Sequence, residues 1–154
     1  MEPRVDATKH SAEPMKAMFA LGKFLSNCGL DHRLRELVKI RASQLNGCAY
    51  CIDMHTKDAR AAGETEQRIY ALSAWRETPF FTAKERAALA WTETVTRLGD
   101  GVSDEAFEEA REQFDEAELV KLTWAIVEIN AWNRVAISLR PSVPGTYRVG
   151  MHAA

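Results

Sequence analysis

Apolar positions recur with the 3.6-residue period of a helix over most of the chain between Ser11 and Leu139, and the strict alternation of a half-buried strand is close to absent. Pro14 suits the first turn of a helix that carries Met15, Met18, Phe19, Gly22 and Leu25 and ends near Cys28-Gly29. Asp31 is placed to cap the next helix, whose Leu34, Leu37, Val38, Ala42 and Leu45 share one face until Asn46-Gly47 closes it. A further helix is predicted from about Cys48 to Gly63, a suitable glycine just past a helix end. The stretch from Thr65 to Trp75 reads as a shorter helix, stopped before Pro79.

Thr82 with Glu85 forms a capping box that opens a helix through Thr96, and Gly99-Asp100-Gly101 terminates it. Ser103 starts another. Asp115 with Glu118 makes a second box, followed by Leu119, Leu122, Ile126, Ile129 and Ala136 on one stripe to about Leu139. That helix reads as a core element; the alternative is that its apolar residues, with Trp124 and Trp132, form a subunit interface. After Arg140, Pro141 and Pro144-Gly145 predict an extended tail whose role the pattern does not reveal. The expected fold is all-α: one compact multi-helix domain over 1–154, without internal repeats, in which the chain reverses at Asn46-Gly47 into an antiparallel helical hairpin.

A chain of 154 residues with 46% hydrophobic and 27% charged residues can bury a core and is expected to fold. Its net charge is −2, and bases alternate with acids in stretches such as Lys57 to Arg60 and Lys84 to Arg86, so nucleic acid is not an expected partner. No apolar run approaches a membrane span, and the first residues lack the apolar core of a signal peptide, so a cytoplasmic protein is expected. Three cysteines are too few for a disulfide scaffold. In a reducing compartment, two of them in a CxxC favour redox or metal chemistry.

Chemistry is concentrated at Cys48-Ala49-Tyr50-Cys51. The pair opens a helix just after a glycine break, where unpaired N–H groups and the positive end of the helix dipole favour thiolate over thiol. Spaced i, i+3, Cys48 and Cys51 share a face and can close a disulfide, and His55 lies one turn beyond Cys51, within reach of its proton. Cys48 should be the more exposed sulfur, and Cys51 the one nearer a base. On a continuous helix Glu36 would lie about 18 Å from Cys48. A hairpin reversing at Asn46-Gly47 instead brings Glu36 level with His55, giving a carboxylate–imidazole–thiol series. The plainer reading of Glu36 is a surface carboxylate paired with Lys39 or Arg33. Tyr50 is expected at the mouth of the site, and Cys28 as a small buried hydrophobe. His10, His32 and His152 show no partner spacing. A zinc module using Cys48, Cys51 and His55 is the non-enzyme alternative, weakened by the lack of a second ligand pair.

The run from Glu36 to His55, Glu-x11-Cys-x2-Cys-x3-His, resembles the alkylhydroperoxidase D branch of the carboxymuconolactone decarboxylase family, and the resemblance covers about sixty residues, 36–94. It implies an all-α homo-oligomer, trimeric or hexameric. It also implies a peroxidase using Cys48, Cys51, His55 and Glu36, with no bound cofactor and an external thiol or dithiol as reductant. The partners implied are a small hydroperoxide and a thiol donor, either a protein or a small molecule. Where the best-known peroxidases of that branch have a histidine between the cysteines, this chain has Tyr50. Two other activities fit the same resemblance: a disulfide reductase serving a separate peroxidase, and a lactone decarboxylase that does not depend on the cysteines.

Overall fold

The computed structural model describes residues 2–99 and 101–151, and their regular structure is exclusively helical. Asp100, inside the predicted terminator, and His152 lie outside the described residues. A short helix α1 (Ala7–His10), which the periodicity did not suggest, is capped by Asp6 accepting from the Lys9 N–H at 3.0 Å. Then come α2 (Ala12–Asn27), α3 (His32–Asn46), α4 (Ala49–Ala61) and α5 (Glu66–Ala71), followed by a 3-10 segment (Leu72–Glu77). The chain continues through α6 (Ala83–Arg97), α7 (Asp104–Arg111) and α8 (Glu116–Leu139).

The predicted caps form. Asp31 accepts from the Leu34 N–H at 2.8 Å, and the boxes Thr82/Glu85 and Asp115/Glu118 are reciprocal. The helix expected from Thr65 to Trp75 is instead broken, with Ala74 at φ −118° and ψ 29° inside the 3-10 segment. Tertiary demand explains the break: Trp75 is buried with its indole N–H on Glu93, and the Arg86 guanidinium takes up the carbonyls of Trp75, Arg76 and Thr78.

Helix α3 is the centre of the molecule and packs against α4, α6 and α8. Its Leu34 and Val38 join Leu119, Leu122 and Ile126 of α8, whereas Leu37 and Ile40 pack with Leu72, Trp75 and Leu89. Each fully buried aliphatic side chain of this kind contributes about 1.5–3 kcal/mol. Helix α2 lies outside this core, with only Leu25 fully buried, and Phe19 and Phe24 remain half exposed. It approaches α8 so closely at Gly22 that a Cβ there would stand 2.8 Å from the Glu128 carboxylate.

The described tail residues, 141–151, carry no helix, and they pack back on the molecule. At Arg140, φ +45°, the chain turns and lies back along α4, because polar groups of that helix offer its backbone partners. The Gly145 N–H donates to Asp53 at 2.9 Å, and Lys57 Nζ donates to the Tyr147 carbonyl at 3.1 Å. No helix among the described residues is long and apolar enough to cross a membrane.

Candidate active site

The reversal between α3 and α4 is built from a left-handed glycine and a buried amide network. Gly47 closes α3 at φ +70°, a conformation that costs other residues free energy, and the Cys48 N–H returns to the Ser43 carbonyl at 2.9 Å. Asn46 donates to Asn133 at 2.8 Å and to Asn130 at 2.9 Å, and Asn133 in turn donates to the Ser43 hydroxyl at 3.0 Å. Asn133 is fully buried on α8, so the turn is pinned to that helix by bonds that water cannot contest. Neither asparagine of α8 stood out in the sequence. Their signal was polarity at helical spacing on an otherwise apolar stripe.

Cys48 is the N-cap of α4, and its sulfur accepts the Cys51 N–H at 3.4 Å. Cys48 and Cys51 are joined by a disulfide with a Cα–Cα distance of 5.4 Å, inside the range such bonds require. Their expected difference in exposure is absent: Cys48 is 1% exposed and Cys51 2%. Helix α8 accounts for this, since Ile129, Trp132 and Ala136 pack over the helix start together with Ala42. Tyr50, half-buried, sits in the first turn between the cysteines. Cys28 is a free, half-buried thiol at the end of α2 and donates to the Leu25 carbonyl at 3.3 Å.

One turn beyond Cys51, His55 Nδ1 lies 2.7 Å from Glu36 Oε2, and both residues are buried. The surface-carboxylate reading of Glu36 therefore fails, and the lysine offered as its partner pairs elsewhere: Lys39 Nζ sits 3.0 Å from Glu128 on α8. Burial pushes the Glu36 carboxyl up. The hydrogen bond and charge of His55, then the charges of Lys39 and His32, outweigh burial and hold it below its ordinary value. An ionised Glu36 favours a hydrogen on the Nδ1 that faces it, which leaves Nε2 turned away from the carboxylate. His32, to which no partner was assigned, stands on the exposed side with Nε2 3.9 Å from Glu36 Oε1; its i, i+4 spacing to Glu36 was the overlooked signal.

Two further residues join from outside the motif. Asp58, at i+3 from His55, presents a carboxylate oxygen to the pair, and one atom each of Glu36, His55 and Asp58 lie within 4.8 Å of one another. The Tyr147 hydroxyl, brought by the tail, reaches both Asp58 oxygens, at 2.7 and 2.9 Å. The zinc set of Cys48, Cys51 and His55 is not assembled here, because the two sulfurs are bonded to each other.

The family model of the carboxymuconolactone decarboxylases matches residues 12–94. The uncharacterized protein YdfG of Bacillus subtilis is 46% identical over 140 residues, covering 90% of this chain and 95% of YdfG. Among solved structures, ATU0492 of Agrobacterium tumefaciens superposes with a TM-score of 0.88 at 44% identity, covering 93% of this chain and 99% of the other. ATU0492 is a protein of unknown function whose name links it to AhpD antioxidant defence. The debrominase Bmp8 shares the fold at a TM-score of 0.75, with 19% identity over 84% of this chain and 70% of Bmp8.

Proposed function

The chain belongs to the carboxymuconolactone decarboxylase family, in its AhpD-like branch, and on that premise we propose that it is a thiol peroxidase that reduces small hydroperoxides through Cys48 and Cys51. The observation that carries this reading is a closed cysteine pair at a helix start, one turn from a buried carboxylate–imidazole pair. In the reduced protein His55 accepts the Cys51 proton, and the thiolate attacks the outer peroxide oxygen. The O–O bond breaks, and the leaving alkoxide takes the proton back as alcohol. The resulting sulfenic acid loses water to the Cys48 thiol, forming the Cys48–Cys51 disulfide. Two electrons from an external thiol or dithiol restore both thiols, and no bound cofactor is required. The near-complete burial of both sulfurs favours a small hydroperoxide over a bulky one.

Mass spectrometry of peroxide-treated protein should find the Cys48–Cys51 bond and leave Cys28 free. Steady-state turnover of an organic hydroperoxide with a panel of thiol donors should require both cysteines. A disulfide reductase serving a separate peroxidase would turn over only when that partner is added, and a lactone decarboxylase would survive Cys→Ser changes.

We also propose that the working form is a homo-oligomer, a trimer or hexamer. Helix α8 is apolar on two sides: opposite its buried stripe, Val120 is 57% and Trp124 49% exposed. With Phe107 and Val127 they line an open cleft of about 580 Å³. Light scattering at micromolar concentration should return a multiple of 17.3 kDa; a monomer contradicts the proposal.

A further inference from the structure

Asp58 and Tyr147 have no part in the peroxidase reading, yet they form the next layer around its proton-handling pair. Asp58 lies on the same face of α4 as His55, and its carboxylate is held on both oxygens by one phenol that comes from the opposite end of the chain. The phenol is well placed as a permanent donor. Tyr147 is buried, and that burial, then its hydrogen bond to Asp58 and the charge of that group, push its ionisation far above the ordinary range. We propose that Asp58, oriented by the Tyr147 hydroxyl, is a positioning residue of the site that stabilises the imidazolium formed when His55 takes the Cys51 proton.

The proton stays in balance: it leaves the Cys51 sulfur, resides on His55, and returns to the alkoxide, and neither Asp58 nor Tyr147 exchanges a proton in the cycle. The charged neighbours allow this role. From α3, Glu36 faces His55 directly, and Lys39 is taken up by Glu128 of α8. His32 sits at the solvent edge of Glu36. On α4, Asp53 and Lys57 pair with each other at 2.9 Å, so Lys57 does not neutralise Asp58. Asp58 and Glu36 thus flank one imidazole, and the free energy of two nearby carboxylates falls when that imidazole becomes positive.

This inference rests on His55 serving the thiol, so its test reads the thiol directly. The thiolate absorbance of the reduced protein is titrated against pH for wild type, Asp58→Asn and Tyr147→Phe, each also in a His55→Ala background. The proposal predicts midpoints displaced upward by about half to one pH unit in the two single variants, or roughly a three- to tenfold lower thiolate fraction near neutrality. In the His55→Ala background neither change should move the midpoint further. Lower melting temperatures with unmoved midpoints would make the pair a mere anchor for the tail and overturn the proposal, as would a displacement that persists without His55. Displaced midpoints in the two single variants, together with a wild type that shows no hydroperoxide turnover, would sink the peroxidase reading and leave this inference standing.

Discussion

Glu36 and Glu93 are both buried glutamates held in the ionised form, yet their partners differ in kind. Glu93 on α6 is surrounded by donors that never give up their protons at neutral pH: Arg41 at 2.7 Å, the Trp75 indole at 2.9 Å, and Arg76. Burial pushes its carboxyl up, and the hydrogen bonds of Trp75, Arg76 and Arg41 more than offset that. Glu36 reaches the same ionised state by bonding the imidazole of His55, one turn from a cysteine. A depressed carboxylate therefore does not mark a reactive site. What distinguishes Glu36 is an imidazole partner one turn from a cysteine pair, where Glu93 has guanidinium and indole partners.

The largest expected effect separates the two directly. Cys51→Ser or Cys48→Ser should abolish hydroperoxide turnover, because each removes one half of the disulfide, whereas Glu93→Gln should leave turnover near wild type. Next in size, His55→Ala should slow turnover by roughly 10²-fold, the usual loss when general-base assistance is removed. An unchanged rate in His55→Ala would place the imidazole outside the chemistry and erase the distinction between the glutamates.

Glu93→Gln should show its cost in stability instead, about 1–3 kcal/mol by urea unfolding, since Arg41, Arg76 and Trp75 lose an ionised acceptor. A stable variant with impaired turnover would reverse the roles assigned here. The smallest effect is on pH dependence. Glu36, Glu85 and Glu93 are held below their ordinary value of 4.5, so near that pH the unfolded chain binds more protons than the folded one. Their contribution is fully present above about pH 4.5 and is lost as pH falls through the lowered folded values. Glu93→Gln should accordingly lose less stability than wild type over that acid window, measured by urea unfolding at a series of pH values.

The hairpin that carries the cysteine pair was legible because its information is local. Gly47 breaks the helix, Cys48 and Cys51 are one turn apart, and counting residues on either side of the break sets Glu36 beside His55. The helices were legible for the same reason, through caps and period. What escaped depends on contacts between distant segments. Asp58 gains meaning only when Tyr147 arrives from the tail, and Asn133 and Glu128 only when α8 crosses α3. The burial of Cys48 likewise depends on α8 packing over the start of α4, and the break near Ala74 on the demand of Trp75 for Glu93. His32 was the exception, a local i, i+4 partner of Glu36 that spacing alone would have found.

The central claim is that Glu36, His55 and the cysteine pair act as one unit. A double-mutant cycle on hydroperoxide turnover and thiolate titration, with wild type, Glu36→Gln, His55→Ala and the double variant, addresses it most directly. Groups that act as a unit are not additive, so the double variant should be little slower than His55→Ala alone, and Glu36→Gln by itself should move the thiolate midpoint upward. Two single losses that multiply, or a midpoint that stays in place in Glu36→Gln, would contradict the account and return Glu36 to the structural role that Glu93 plays.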